Sequence, residues 1–91
     1  MVKIYRLECA EMSSRELVHP YLKRQLGLPD YYGNNLDALF DCLTEMSQPA
    51  VFQFVQVNEL QKLGPYGLSL IETFRDASEE NPILELTYPE A

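Results

Sequence analysis

The chain has little of the chemistry from which enzyme sites and metal centres are built. It holds one histidine, His19, and two cysteines, Cys9 and Cys42, in 91 residues. The cysteines lie far apart and show neither CxxC nor Cys/His spacing, so no zinc site and no redox pair is written here. No metal or cofactor is expected. Two free thiols suit a reducing compartment, and Cys42, set among Leu39, Phe40 and Leu43, reads as a small buried hydrophobe. A single disulfide is the open alternative. Long apolar runs are missing too: nothing approaches the ~18 residues that span a bilayer, and neither end pairs a charged start with an apolar stretch. A soluble, cytoplasmic protein without a membrane partner is expected.

Basic residues are scarce. Seven Lys and Arg stand against fourteen Asp and Glu, a formal charge of −7. That balance repels nucleic acid, where affinity comes mainly from Lys and Arg neutralising phosphates, so direct RNA binding is not expected. From Gln25 to Gln61 there is no Lys or Arg at all, while Asp30, Asp37, Asp41, Glu45 and Glu59 all lie inside. A field of one sign over this length steers a partner of the opposite sign, here a basic protein. A merely solubilising acidic surface is the other reading.

What is present is enough for a fold. Hydrophobic residues make up 46% of the chain, and its length fits one domain over residues 1–91 with no repeat or low-complexity segment. Val2 to Leu7 mixes β-branched, aromatic and basic residues and predicts a strand. In the helix that follows, Ser13 and Glu16 have capping-box spacing, but Pro20 would then fall in the interior. An interior Pro costs about 3 kcal/mol and a cap contributes about 1, which favours a later start or a break near Pro20. Gly27 ends this helix, and Pro29 and Gly33 punctuate the loop after it.

Asn35 is a good N-cap for a second helix, whose Leu36, Leu39, Phe40 and Leu43 follow the i, i+3, i+4, i+7 rule. Pro49 stops it. Ala50 to Val55 is a short apolar run suited to a strand covered on both faces. A short helical segment near Asn58 to Leu63, a Gly64-Pro65 turn, a helix over Leu68 to Ala77 and a strand over Ile83 to Tyr88 complete the chain, with Asn81-Pro82 between the last two. Strands separated by helical stretches imply right-handed crossovers, hence an α/β fold with a three-stranded parallel sheet flanked by helices.

At ~100° per residue the second helix gathers Leu36, Leu39, Leu43 and Met46 on one side and Asp37, Asp41 and Thr44 on another, with Phe40 on the border. Phe40 can root in the core and offer its ring to a partner, or be core alone. Asp37 and Asp41 share a face, and like charges at this spacing destabilise a helix by about 0.2 to 0.5 kcal/mol. Asp37 sits in the first turn, where the helix dipole favours an anion, but Asp41 lies beyond that reach. As a general acid and base the pair would need a nucleophile, metal ligand or oxyanion donor nearby, and none is evident. His19, beside Pro20, reads as a residue that caps or decorates its helix, and two helical carboxylates are an incomplete Mg²⁺ site. Catalysis is not expected.

The seventeen residues from Leu28 to Thr44, LPDYYGNNLDALFDCLT, closely resemble the signature loop and helix of the barstar family. Phe74-Arg75-Asp76-Ala77 resembles a second landmark, with Asp where Glu is more familiar. The resemblance implies the same three-stranded fold and an inhibitor that occludes the active site of a basic, secreted ribonuclease of the barnase type. It implies that Asp41 enters the phosphate pocket and imitates the substrate phosphate, that Asp37 pairs with a nuclease Arg, and that Tyr31 packs on the catalytic His. Asn35, Phe40, Thr44 and Asp76 match peripheral contact positions, and Gly33 would permit the tight loop. This sequence departs from the family at Phe40, where barstar has Trp, and over Glu45 to Pro49, which is one residue shorter with Met46 near another family Trp. The alternatives are an acidic module that binds a basic partner other than a nuclease, and a small hydrolase. The hydrolase would need a concave site beside both Asp37 and Asp41.

Overall fold

In the computed structural model, which describes residues 1–89, three parallel strands and three α-helices follow one another in the expected order. Residues 90 and 91, the end of the expected 1–91 domain, lie outside the described residues. β1 (Lys3–Glu8) leads through a short 3₁₀ turn into α1 (Arg15–Leu26), then α2 (Leu36–Thr44) and β2 (Ala50–Val55). A 3₁₀ segment, Val57–Leu63, precedes α3 (Pro65–Glu80) and β3 (Leu84–Thr87). The sheet order is β1-β2-β3, with Tyr5 beside Phe52 and Phe52 beside Leu86 in register.

The period-two pattern of the strands decides which face carries the core. Leu7, Ala50, Phe52, Phe54 and Leu84 point to one side and form one cluster with Val18, Leu22 and Leu26 of α1, Leu39 and Leu43 of α2, and Leu70 and Phe74 of α3. Phe74 packs edge-on against both Phe52 and Phe54, with centroids 5.1 and 5.0 Å apart. The opposite face differs from expectation. Ile4 and Glu85 are exposed there and Val51 and Gln53 only half-buried, so β2 is fully covered on one side alone. α3 begins with Pro65 in its first turn, where the missing N–H costs nothing, and runs longer than the predicted Leu68 to Ala77. A Cβ at Gly67 would stand 2.3 Å from the Leu60 carbonyl oxygen, so only glycine lets α3 approach the 3₁₀ segment.

α1 corrects the sequence reading. It runs unbroken from Arg15 with Ser14 as N-cap, no capping box forms, and Pro20 lies inside it. Pro20 and Glu16, whose carbonyl would have accepted the missing N–H, are both exposed, so water can take that acceptor. The flanking residues Val18, His19, Tyr21 and Leu22 are all buried, and this burial outweighs the local cost. Gly27 ends the helix in the left-handed conformation (φ 64°), as expected.

Candidate functional site

The loop between α1 and α2 is built by short-range bonds. The Leu28 N–H donates to the Lys23 carbonyl, and the Tyr32 N–H to the Pro29 carbonyl, both at 3.0 Å. The second bond closes a turn over Pro29-Asp30-Tyr31-Tyr32 that lifts Tyr31 to its outer corner, 88% exposed, and turns Tyr32 inward, 6% exposed. Asn35 then caps α2 as predicted: its Oδ1 accepts the Ala38 N–H at 2.8 Å, and its Nδ2 donates to the Gly33 carbonyl at 3.1 Å. The left-handed residue of the loop is Asn34 (φ 55°), not Gly33. Gly33 serves the loop through space, because a Cβ there would lie 3.3 Å from the capping amide of Asn35.

On α2 the apolar positions Leu39 and Leu43 are fully buried, Leu36 and Phe40 half-buried, and Asp37 and Asp41 exposed. Phe40 thus has the border position expected of it. Glu45, the C-cap residue, continues the i, i+4 row of acids and is also exposed. No basic residue occupies the last turn of α2, and none of the ion pairs among the described residues includes Asp37, Asp41, Glu45 or Asp76. Thr44 is half-buried, its hydroxyl donating to the Asp41 carbonyl at 3.1 Å. Asp76 is exposed on α3, the helix packed against α2. The loop and α2 therefore bring Tyr31, Gly33, Asn35, Asp37, Phe40, Asp41 and Thr44 into one continuous stretch.

Two supports of this surface escape sequence reasoning. The first is Asn81, read only as a helix stop. Its side-chain amide donates to the carbonyls of Leu43, Thr44 and Met46, at 3.3, 3.3 and 2.9 Å, and so caps the C-terminal end of α2 from the far end of α3. No sequence signal joins positions this far apart.

The second is His19, which neither caps nor decorates its helix. It is 4% exposed, and its Nδ1 and Nε2 lie 2.6 Å from the hydroxyls of Tyr32 and Tyr66. A neutral imidazole has one donor and one acceptor nitrogen, so one tyrosine accepts from it and the other donates to it. Burial, then the nearby positive charge of Arg15, holds the His19 pKa below its usual value and keeps the ring neutral. The Arg15 guanidinium itself sits 4.2 Å from the Tyr66 ring centroid. Burial raises the Tyr32 hydroxyl, which stays protonated as the bridge requires. An inward bond from the loop, at Tyr32, thereby fixes what the loop presents outward, at Tyr31.

Cys42 also departs from expectation. It is half-buried and borders a cleft instead of filling the core, while Cys9 is buried. Burial, then the neighbouring Glu45 and Asp41 carboxylates, pushes the Cys42 thiol pKa up, away from the reactive thiolate. Asp41 borders the same cleft and Asp37 does not, so the two carboxylates do not share a concave site. No cluster of three or more His, Cys, Asp or Glu side chains suited to a metal occurs among the described residues. No helix among them is long and apolar enough to cross a membrane.

The family follows from comparison with known proteins. A family model described as "Barstar (barnase inhibitor)" matches residues 2–86. The chain belongs to the barstar family. It is also 40% identical over 67 residues, 71% of this chain and 74% of the relative, to a Bacillus subtilis (strain 168) protein named "Putative ribonuclease inhibitor YrdF". The barstar family is one of inhibitors, not of enzymes, and its α/β fold is the one described above. Within the match lie both the turn that exposes Tyr31 and the acidic face of α2.

Proposed function

We propose that this barstar-family chain inhibits a basic, secreted ribonuclease of the barnase type by occluding its active site with the loop and acidic face of α2. The observation that carries this reading is the row of exposed carboxylates on α2, Asp37 and Asp41, which have no cationic partner among the described residues. Charges held on a folded surface without internal partners are available to another molecule, and a one-sign field draws a basic partner in. Asp41 takes the place of an RNA phosphate among the Lys, Arg and His groups of the nuclease, and Asp37 pairs with an Arg of the same site. Tyr31 stacks on the catalytic His. Asn35, Phe40, Thr44 and Asp76 form the rim, and Gly33 keeps the loop close to its cap. Binding alone inhibits, and no bond is made or broken. On this reading the chain acts as one domain in the cytoplasm, with no cofactor.

An inhibition titration tests it. The purified protein abolishes the activity of a barnase-type ribonuclease at equimolar ratio and cleaves no RNA itself. If a panel of such nucleases is unaffected by protein whose fold is confirmed by circular dichroism, the acidic module with a non-nuclease basic partner becomes the better account.

A further inference from the structure

Next to the acidic face lies a cleft of about 670 Å³; the reading above uses Tyr31, Gly33 and Asp41 of its lining and leaves Tyr5, Glu45 and Met46 without a role. It opens between the turn that carries Tyr31 and the C-terminal end of α2, and it reaches back to β1. Tyr31 and Asp41 border it, so it is continuous with the proposed binding face. Its lining includes Tyr5 and Met46, half-buried side chains packed against the core. The charged residues that line it are Asp41, Glu45 and Lys3.

Three observations set the chemistry of an occupant. Asp41 and Glu45 are exposed, share a helix face, and belong to none of the ion pairs among the described residues. Glu45 also stands at the negative end of the α2 dipole, where an anion is disfavoured and fold stability gives no reason for it. The aromatic wall already accommodates a cation, because the Lys3 ammonium lies 5.7 Å from the Tyr5 ring centroid. An anionic occupant would meet two carboxylates, and a wholly apolar one would strip water from them without replacing it.

We propose that the cleft receives an arginine or lysine side chain protruding from the nuclease, with its stem against Tyr5 and Met46 and its cationic head between Asp41 and Glu45. The proposal rests on the reading of the α2 face as a nuclease-binding surface, and it makes Glu45 a residue that selects among nucleases. Lys3 competes with the incoming cation and so weakens the contact.

The test is stopped-flow measurement of association and dissociation with a barnase-type ribonuclease, in dilute buffer and in half-molar salt. Wild type is compared with Glu45→Gln, Lys3→Met and Asp41→Ala. Removing one partner of a desolvated charge pair acts on dissociation, whereas removing a rim charge acts on association and its salt dependence. Glu45→Gln is therefore expected to dissociate about tenfold faster at both salt concentrations, and Lys3→Met to dissociate more slowly than wild type. Wild-type dissociation of Glu45→Gln in half-molar salt, or faster dissociation of Lys3→Met, overturns the proposal. If either occurs while Asp41→Ala loses binding, the α2 face stands as the nuclease site and the cleft is empty. If wild type binds no such nuclease, the proposed function falls and the cleft occupant with it.

Discussion

The turn before α2 has two sides, and adjacent tyrosines mark them. Tyr31 faces out and borders a cleft with Asp41 and Glu45, which belong to none of the ion pairs among the described residues, whereas Tyr32 faces in, hydrogen-bonded through His19 to Tyr66 on α3. On the outer side the carboxylates of Asp37, Asp41 and Glu45 repel one another and belong to none of the ion pairs among the described residues. The inner side consists of polar groups whose partners all lie within the chain. A surface that keeps like charges close at about 0.2 to 0.5 kcal/mol per helical pair, above an underside this fully satisfied, has divided its labour. The inner side holds the fold, and the outer side, on the function proposed above, meets the partner.

The largest effect on folding is expected from breaking the inner side. His19→Ala leaves the Tyr32 and Tyr66 hydroxyls without their shared partner and opens a cavity, which should destabilise the protein by about 3 kcal/mol. Urea unfolding measures it, and a loss below about 0.5 kcal/mol would mean that the bridge is incidental. Asn81→Ala comes next. It removes the amide that caps the end of α2, at about 1 to 2 kcal/mol of stability, although Asn81 itself is not one of the proposed contact residues. Nuclease affinity should drop far less than stability does.

A smaller effect sharpens the contrast through pH. The unfolded chain protonates His19 near 6.5, whereas the folded chain, with the ring buried and Arg15 nearby, protonates it only at lower pH. Between those values the unfolded state holds more protons, so stability is full above about pH 6.5 and declines as pH falls through the folded-state pKa. His19→Gln should flatten this part of the stability profile, measured by unfolding between pH 7.5 and about 5. An unchanged slope would remove the histidine from the account. Acid should therefore loosen the inner side.

How far the two sides were legible in the sequence depends on the range of the interactions. The Asn35 cap, the Leu36, Leu39 and Leu43 stripe and the Gly27 stop are set by residues within one or two turns, and each was read correctly. The outer side followed from the charge pattern and the family signature. The inner side did not, because His19, Tyr32 and Tyr66 come from three separate elements. The same blindness explains Pro20, where local propensity favoured a break and the burial of Val18, His19, Tyr21 and Leu22 kept the helix whole. Gly33 and Asn34 show a finer limit: the spacing located the loop, but only backbone geometry shows that Asn34 takes the left-handed position while Gly33 makes room. Glu45 was counted as charge, and its place at the cleft appears only once the turn is folded against the end of α2.

Asp41 tests the division of labour most directly, by two measurements on one variant. Calorimetric titration of Asp41→Ala with a barnase-type ribonuclease should show binding weakened by about 2 to 5 kcal/mol, a range for which barnase and barstar are themselves a reference case. Urea unfolding of the same free protein should show stability unchanged or raised by a few tenths of a kcal/mol, since one of two repelling charges is gone. Wild-type affinity, or a free domain destabilised by more than about 1 kcal/mol, would contradict the account and make Asp41 a residue of the fold.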